Sequence, residues 1–376
     1  MGTLIRITGI AMLLSFISLT GLATVSDTTQ KDPSVISSAN PNYELLQQSM
    51  ERLSEIQKQG GWPKIVATQK FYLKGQTALA IKQIKERLRL SGDFASDDTS
   101  SVFTDELVTA VQKVQKRFGF TQNGVVDAVL IKELNVPVES RIQQIMINME
   151  RWQNSSSASS GTRLIVNIPE YKLHVYEGNE HVFDMDVVVG AEDHQTVTFD
   201  DEMTNIVFSP YWNVPESIVE NEILPAINND PDYLRNHNYE ITGYENGLPV
   251  IRQRPGPGNS LGQVKFVFPN EHGIYFHDTP AKSLFQYPKR TFSHGCIRLA
   301  EPAKLAQYLL RNVPGWTEEK IKQAMNSGKE QGVKLPVPVA VSINYYTAWV
   351  DDEGLLQLRQ DIYGMDKKEA YKVANR

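Results

Sequence analysis

The chain has one cysteine among its 376 residues, Cys296, set in the run Ser293-His294-Gly295-Cys296-Ile297-Arg298-Leu299. A lone thiol cannot close an intramolecular disulfide, so it either packs as a small apolar group or does chemistry. The chemistry open to it is attack on a carbonyl, which needs a base or cation to make the thiolate and donors for the oxyanion. Seven histidines are present, and His272, His277 and His294 fall within 25 residues of the thiol. His277 is the better base candidate, because it can approach from a second strand. His294, two residues before Cys296, is placed to shape the loop. Gly295 permits a tight turn that could aim the N–H groups of Gly295 and Cys296 at a developing oxyanion. Two competing readings stay open, a packed structural thiol and a metal site of His277, His294 and Cys296. The second is weaker, since the spacings match no common zinc pattern and no CxxC is present.

Local charge bears on the substrate. Between residues 252 and 298 stand Arg252, Arg254, Lys265, Lys282, Lys289, Arg290 and Arg298, against Glu271 and Asp278. That excess of five cations lies in a chain of net charge -6. It is either a solvated basic face or a site for an anionic substrate, with Arg298 within reach of the thiol. The overall acidity, with a pI near 5.7, argues against nucleic acid as a partner, and the mean hydropathy of -0.34 argues against a polytopic membrane protein.

These side chains need strands to hold them, and the pattern supplies them. After Gly161 the hydrophobic period falls from 3.6 to 2, with Leu164, Val166 and Ile168 alternating with polar neighbours. Two extended runs follow around the turn EGNE, and further strands are expected at Thr204–Phe208, Val264–Phe268, Ile274–His277, Pro338–Ile343 and Tyr345–Trp349. In the Ile274–His277 strand, Tyr275 and His277 share one face. Helices are expected at 216–227 and at 302–311, where Pro302 sits near the first position.

The first 160 residues read differently. Arg6, an apolar run from Ile7 to Ala23 and no acid before Asp27 predict an export signal or a single N-terminal anchor, 1–26. A spacer and scaffold helix follow over 27–73. Helical stripes fill 74–137: Ile81, Ile84 and Leu88, then Leu107, Val111, Val114 and Phe118, with Thr104 as the expected N-cap of the second helix. A third short helix is expected at 127–134. A helix bearing Ile142, Ile145, Met146 and Met149, then the Ser-rich linker NSSSASSG, complete 138–160.

The run HDTPAKSLFQYPKRTFSHGCIRL resembles the signature of L,D-transpeptidases with a YkuD-type catalytic domain. That signature is a His, a spacer of about fifteen residues, then Ser/Thr-His-Gly-Cys, a variable residue and Asn or Arg, and here fifteen residues separate His277 from Ser293. MTNIVFSPYWNVPESI, RQRPGPGNSLGQVKFVFPN and YYTAWVDDEGLLQLRQDIYG resemble the larger YcbB-like branch. FTDELVTAVQKVQKRFGFTQNGVVD resembles a type 1 peptidoglycan-binding domain. The resemblance implies an α+β protein: a mainly β, β-sandwich-like catalytic domain over 161–350 with a capping segment at about 215–262, a small all-α peptidoglycan-binding-like domain at 74–137, and a C-terminal scaffold segment, 351–376.

It implies chemistry as well. The thiolate of Cys296 would attack the third residue of a tetrapeptide stem, releasing D-Ala, and the amine of a neighbouring stem would resolve the acyl-enzyme into a 3-3 cross-link. His277 would be the base, and His294, Gly295 and Cys296 the oxyanion turn. Tyr275, Arg298, Ser293, Asp278 and Trp212 would contact substrate. Asp278 stands where many relatives have Ser or Gly, but its carbonyl can orient His277 whatever its side chain. Peptidoglycan stem peptides are thus the expected partners, carbapenem β-lactams the expected inhibitors, and the periplasm or cell envelope the expected location. The chain is expected to act as a monomer, with neither metal nor organic cofactor. An L,D-carboxypeptidase, a ligase joining an envelope protein to the wall, and a non-enzymatic wall-binding module are the rival readings.

Overall fold

The computed structural model describes residues 41–153 and 160–374. The expected export segment, all but the end of the spacer and most of the Ser-rich linker lie outside them. No helix among the described residues is long and apolar enough to cross a membrane.

Among the described residues five helices come first: α1 (Pro41–Lys58), α2 (Leu79–Leu90), α3 (Asp105–Arg117), α4 (Ala128–Leu134) and α5 (Val138–Gln153). Glycine ends the first: Gly60 is left-handed at φ 99, and the Gly61 N–H reaches the Ile56 carbonyl at 2.9 Å. The stripes are core, with Ile81, Ile84, Leu88, Leu107 and Val111 all 0% exposed. Thr104 sits at the N-cap in extended conformation, but its hydroxyl makes no capping bond. Asp127 does cap, accepting from Leu130 N at 2.8 Å. A two-stranded ribbon of β1 (Phe71–Tyr72) and β2 (Val126–Asp127) ties the block together.

Residues 162–344 build one nine-stranded sheet. Its strands are β3 (Thr162–Asn167), β4 (Lys172–Glu177), β5 (Glu180–Gly190), β6 (Phe199–Phe208), β10 (Val264–Val267), β11 (Phe276–His277), β12 (Thr291–Ser293), β13 (Ile297–Leu299) and β14 (Gln331–Asn344). They run in the order β12-β5-β13-β11-β10-β6-β14-β3-β4, and β4 pairs back onto β5. The expected sandwich is therefore one sheet bent over and closed on itself. β5 makes this possible because it is long: Glu180–Asp186 pairs with β4, and Val187–Val188 pairs with β13. Helices α9 (Pro302–Leu310) and α10 (Glu318–Met325) cover the core with Leu305, Leu309, Ile321 and Met325. In β14, Pro336 and Pro338 fall where its register against β6 is broken, between Lys334 and Val339, a place where a missing N–H costs no ladder bond.

Between β6 and β10 lies the capping segment. β7 (Trp212–Asn213), β9 (Leu248–Gln253) and β8 (Tyr239–Glu245) form a small sheet in that order. Against it packs a helical run, α6 (Glu216–Ile218) and α7 (Leu224–Asn229) joined by a π turn at Val219–Ile223, followed by α8 (Tyr233–Asn236). Val214, Ile218, Val219, Ile223 and Ile251 give this segment a core of its own.

The C-terminal strands differ from expectation. The extended run begins at Ala348, not Tyr345: Tyr345 and Tyr346 are held as a crossing by bonds from Tyr345 Oη to Asp361 and from Tyr346 N to Asn167. The hairpin of β15 (Ala348–Val350) and β16 (Leu356–Leu358) then packs Ala348, Val350 and Leu358 into the core of the helical block. Finally α11 (Met365–Ala374) docks on α5, where Arg151 pairs with Asp366 and Glu369.

Candidate active site

Two short parallel strands place the chemistry. β11 and β13 pair with Phe276 opposite Ile297 and His277 opposite Arg298, and Ile297 N bonds the Tyr275 carbonyl at 3.1 Å. The same register sets Cys296 beside Tyr275. Because strand side chains alternate, Phe276 and Ile297 enter the core at 0% exposure, while Tyr275, His277, Cys296 and Arg298 share the opposite face. The antiparallel neighbour β10 adds Lys265, paired with His277, to that row.

His277 is 4% exposed and its Nδ1 lies 2.5 Å from the Asp278 carbonyl oxygen. A carbonyl only accepts, so Nδ1 carries the proton and Nε2 is the free basic nitrogen. Burial, with the Arg298 charge adding to it, pushes the imidazole down to about 3. The ring is neutral at physiological pH.

Burial also pushes the Cys296 thiol up, and it is opposed by hydrogen bonds from the backbone and side chain of Tyr275 and by the Arg298 charge. Sγ itself lies 3.7 Å from the Gly273 carbonyl. The resting pair is thus a neutral thiol and a neutral imidazole, and the proton moves only when an electrophile arrives. Trp212 of the capping segment completes the line by hydrogen-bonding the Tyr275 hydroxyl.

A chain of five hydrogen bonds fixes the turn before Cys296. Gly295 is left-handed at φ 105, which only glycine adopts cheaply. Ser293, 3% exposed, donates its hydroxyl to the Cys296 carbonyl at 2.5 Å and accepts from Gly295 N at 3.3 Å. The Gly295 N–H is therefore directed at Ser293, and the Cys296 N–H, without a partner among the described residues, is the donor left for an oxyanion. Thr196, 0% exposed, donates to the Gly295 carbonyl at 2.8 Å and accepts from Gly190 N at 2.9 Å. Tyr363 donates to the Gly190 carbonyl at 2.6 Å.

The other expected site residues fall as follows. Asp278 turns its carboxylate to Gln263 N at 2.9 Å and to Lys282 at 2.7 Å. His294 lies against the capping segment, its Nε2 2.7 Å from Glu222 and its ring 5.0 Å from that of His194. Most of the basic excess is spent on ion pairs: Arg252 and Arg254 on Glu240, Lys282 on Asp278, Lys289 on Glu192 and Arg290 on Asp186. Arg298 has no acidic partner among the described residues, and its buried Nε has no hydrogen-bond partner.

The sequence reading passed over Thr196, Gly190, Tyr363 and Glu222. The β8–β9 turn of the segment that holds Glu222 did carry a readable signal, Asn246-Gly247, with both residues at positive φ (52 and 82).

A face carrying a thiol, a neutral imidazole and an unpaired guanidinium can perform acyl transfer on an anionic substrate. Consistent with this, residues 161–337 match the model of the L,D-transpeptidase catalytic domain, YkuD, and residues 77–134 match that of a "Putative peptidoglycan binding domain". The two matched stretches lie within a mixed α+β fold. It is also similar to a "Putative L,D-transpeptidase" of Haemophilus influenzae, 32% identical over 247 residues, covering 61% of this chain and 50% of that protein. The chain therefore spans about half the length of that curated relative. Slighter likenesses are to an L,D-transpeptidase of Xylanimonas cellulosilytica (12% identity, TM-score 0.25, 74% of this chain and 100% of that one) and one of Stackebrandtia nassauensis (14%, 0.27, 74% and 97%). At those scores they carry no weight for fold or function.

Proposed function

We propose that the protein is an exported cell-wall L,D-transpeptidase of the YcbB-like branch that makes 3-3 cross-links through an acyl-enzyme on Cys296. The observation that carries this is the shared face of Tyr275, His277, Cys296 and Arg298, with His277 fixed as the Nδ1–H tautomer by the Asp278 carbonyl. Nε2 of His277 takes the thiol proton as Sγ attacks the carbonyl of the third stem residue. The Cys296 N–H faces the resulting oxyanion. Collapse breaks the bond to D-Ala, whose amine leaves with the proton from His277, and a thioester remains. An acceptor-stem amine then attacks the thioester, loses its proton to His277 and releases the thiol. Both stages need no metal, since the thiolate is nucleophile enough and the backbone bears the oxyanion. A strained β-lactam of the carbapenem type offers the same thiolate a carbonyl and forms a stable adduct.

Product masses test the reading. The full chain is incubated with disaccharide-tetrapeptide. A dimer lighter by one alanine is the expected product. Tripeptide without dimer would make the enzyme an L,D-carboxypeptidase or a ligase lacking its acceptor, and unchanged substrate would overturn acyl transfer altogether.

Arg298, like Lys265 in the same row, has no acidic partner among the described residues, and we assign it to a substrate carboxylate. Arg298→Gln is expected to raise KM for the tetrapeptide about tenfold, the worth of one charge-assisted hydrogen bond, with kcat nearly unchanged. Steady-state kinetics separate the two constants. A fall in kcat alone would instead give Arg298 to the thiolate.

A further inference from the structure

On the half of β5 that pairs with β4, away from the Cys296 turn, His174, His181 and Asp184 converge. Oδ1 of Asp184 lies 2.7 Å from Nδ1 of His174 and 2.6 Å from Nε2 of His181. One ligand atom from each comes within 4.8 Å of the others, a grouping that no other three such side chains reach among the described residues.

The arrangement depends on a strand irregularity. His174 pairs directly with Asp184, Val175 with Phe183, and Tyr176 with His181, so Val182 is skipped. In a regular strand, residues three apart face opposite sides. The extra residue reverses the alternation and turns His181 to the face of Asp184. The bulge thus brings two histidines and a carboxylate, three possible metal ligands, onto one face.

The outer partner is also present. Nε2 of His174 lies 3.1 Å from Oε2 of Glu170, which in turn accepts from Asn167 at 3.2 Å. A carboxylate on the far nitrogen of a ligand histidine fixes its tautomer and raises its basicity, as metal-bound histidines require. Burial is graded to suit. His174 and Glu170 form the fixed inner edge at 19% and 15% side-chain exposure, while His181 and Asp184, at 40% and 38%, can swing. Zinc bonds of about 2.0–2.2 Å spread tetrahedral donors to about 3.3 Å apart, so only a small opening of that outer edge is needed. The cluster lines a cleft of about 400 Å³, shared with Tyr176, Trp349 and Arg359, where water or a small anion can fill the remaining position.

We propose that His174, His181 and Asp184 bind one divalent cation of the zinc class, with Glu170 orienting His174. The expectation of a metal-free protein came from cysteine acyl transfer, which needs no metal, and the transpeptidase reading neither needs this site nor excludes it. Its location pins β4 to β5 where the sheet closes and faces the C-terminal hairpin.

The test uses the full chain, zinc and cobalt salts, and a Cys296→Ala background so that the thiol cannot contribute. Titration calorimetry is expected to give one zinc ion per chain. Cobalt is expected to give visible d–d bands of a nitrogen and oxygen site without sulfur charge transfer. His181→Ala and Asp184→Asn, both at exposed positions, should remove this binding, and Glu170→Gln should weaken it roughly 10- to 100-fold. Circular dichroism checks that each variant is folded. Stoichiometry unchanged in His181→Ala, or binding seen only when Cys296 is restored, would overturn the site. No heat and no cobalt spectrum at millimolar metal would show the cluster to be held by protons alone, and overturn it equally.

Discussion

Cys296→Ala is expected to bring both cross-linking and β-lactam acylation to background, a loss of about 10⁴-fold or more, because nothing else on the site face can form the acyl bond. His277→Gln should cost roughly 10²–10⁴-fold, the usual worth of a positioned base. The pH dependence is the sharper measurement. With the imidazole pushed down to about 3, no step in acylation rate is expected near the ordinary histidine value of about 6.5. The rate should instead climb on the alkaline side, where the thiol, itself pushed up by burial, begins to ionise. Stopped-flow acylation between pH 5 and 10 reads this directly. An acid limb at pH 6–7 would mean an ion pair already formed at rest, and would overturn the neutral pair.

The same histidine sets a stability trend. Its folded value lies below its unfolded one, so the unfolded chain takes up the proton first as pH falls. The stabilisation is complete above about 6.5 and is lost progressively towards 3. Urea melts should therefore show wild type losing ground to His277→Gln on acidification.

Gly190→Ala is expected to be the most damaging single methyl in the catalytic region. A Cβ there would stand 2.1 Å from the His194 carbonyl oxygen and 2.6 Å from Thr196 N, both backbone atoms that cannot rotate aside. Overpacking of this kind costs about 1–3 kcal/mol, and the absence of a yielding side chain puts this case at the upper end. The strain falls on Thr196, whose hydroxyl links Gly190 N to the Gly295 carbonyl, so the turn before Cys296 shifts with it. Melting temperature and acylation rate should fall together. Thr196→Val, which deletes the link without adding bulk, should lower the acylation rate with a smaller loss of stability, about 1 kcal/mol. A Gly190→Ala protein as stable and as fast as wild type would remove the turn from any role.

The part of the site legible in sequence was the part where chemistry dictates residue type. A lone thiol, a histidine with fifteen residues between it and Ser293, and a glycine in the turn are few enough to stand out. Strand alternation correctly set Tyr275 and His277 on one face. What stayed hidden acts through backbone or through distant pairing: Thr196 and Tyr363 are ordinary polar residues until closure of the sheet brings them to Gly190. Glu222 was one acid in a polar segment until the π turn carried it to His294. Helix α10 escaped although Ile321, Ala324 and Met325 follow helical spacing, because its eight residues, EEKIKQAM, make little more than two turns. The strand expected from Tyr345 starts three residues later, at Ala348, because Tyr345 and Tyr346 have strand propensity yet spend their polar atoms on tertiary bonds, and its partner β16 was not anticipated.

The bond from Tyr363 to Gly190 bears on the timing of biosynthesis. A ribosome makes Cys296 well before Tyr363, and domains take shape from the N-terminus as they emerge. Until that tyrosine is delivered, the carbonyl of Gly190 lacks the phenol that steadies the strand end beneath the thiol turn. A chain cut short of Tyr363 would thus carry Cys296 without the full support of its turn.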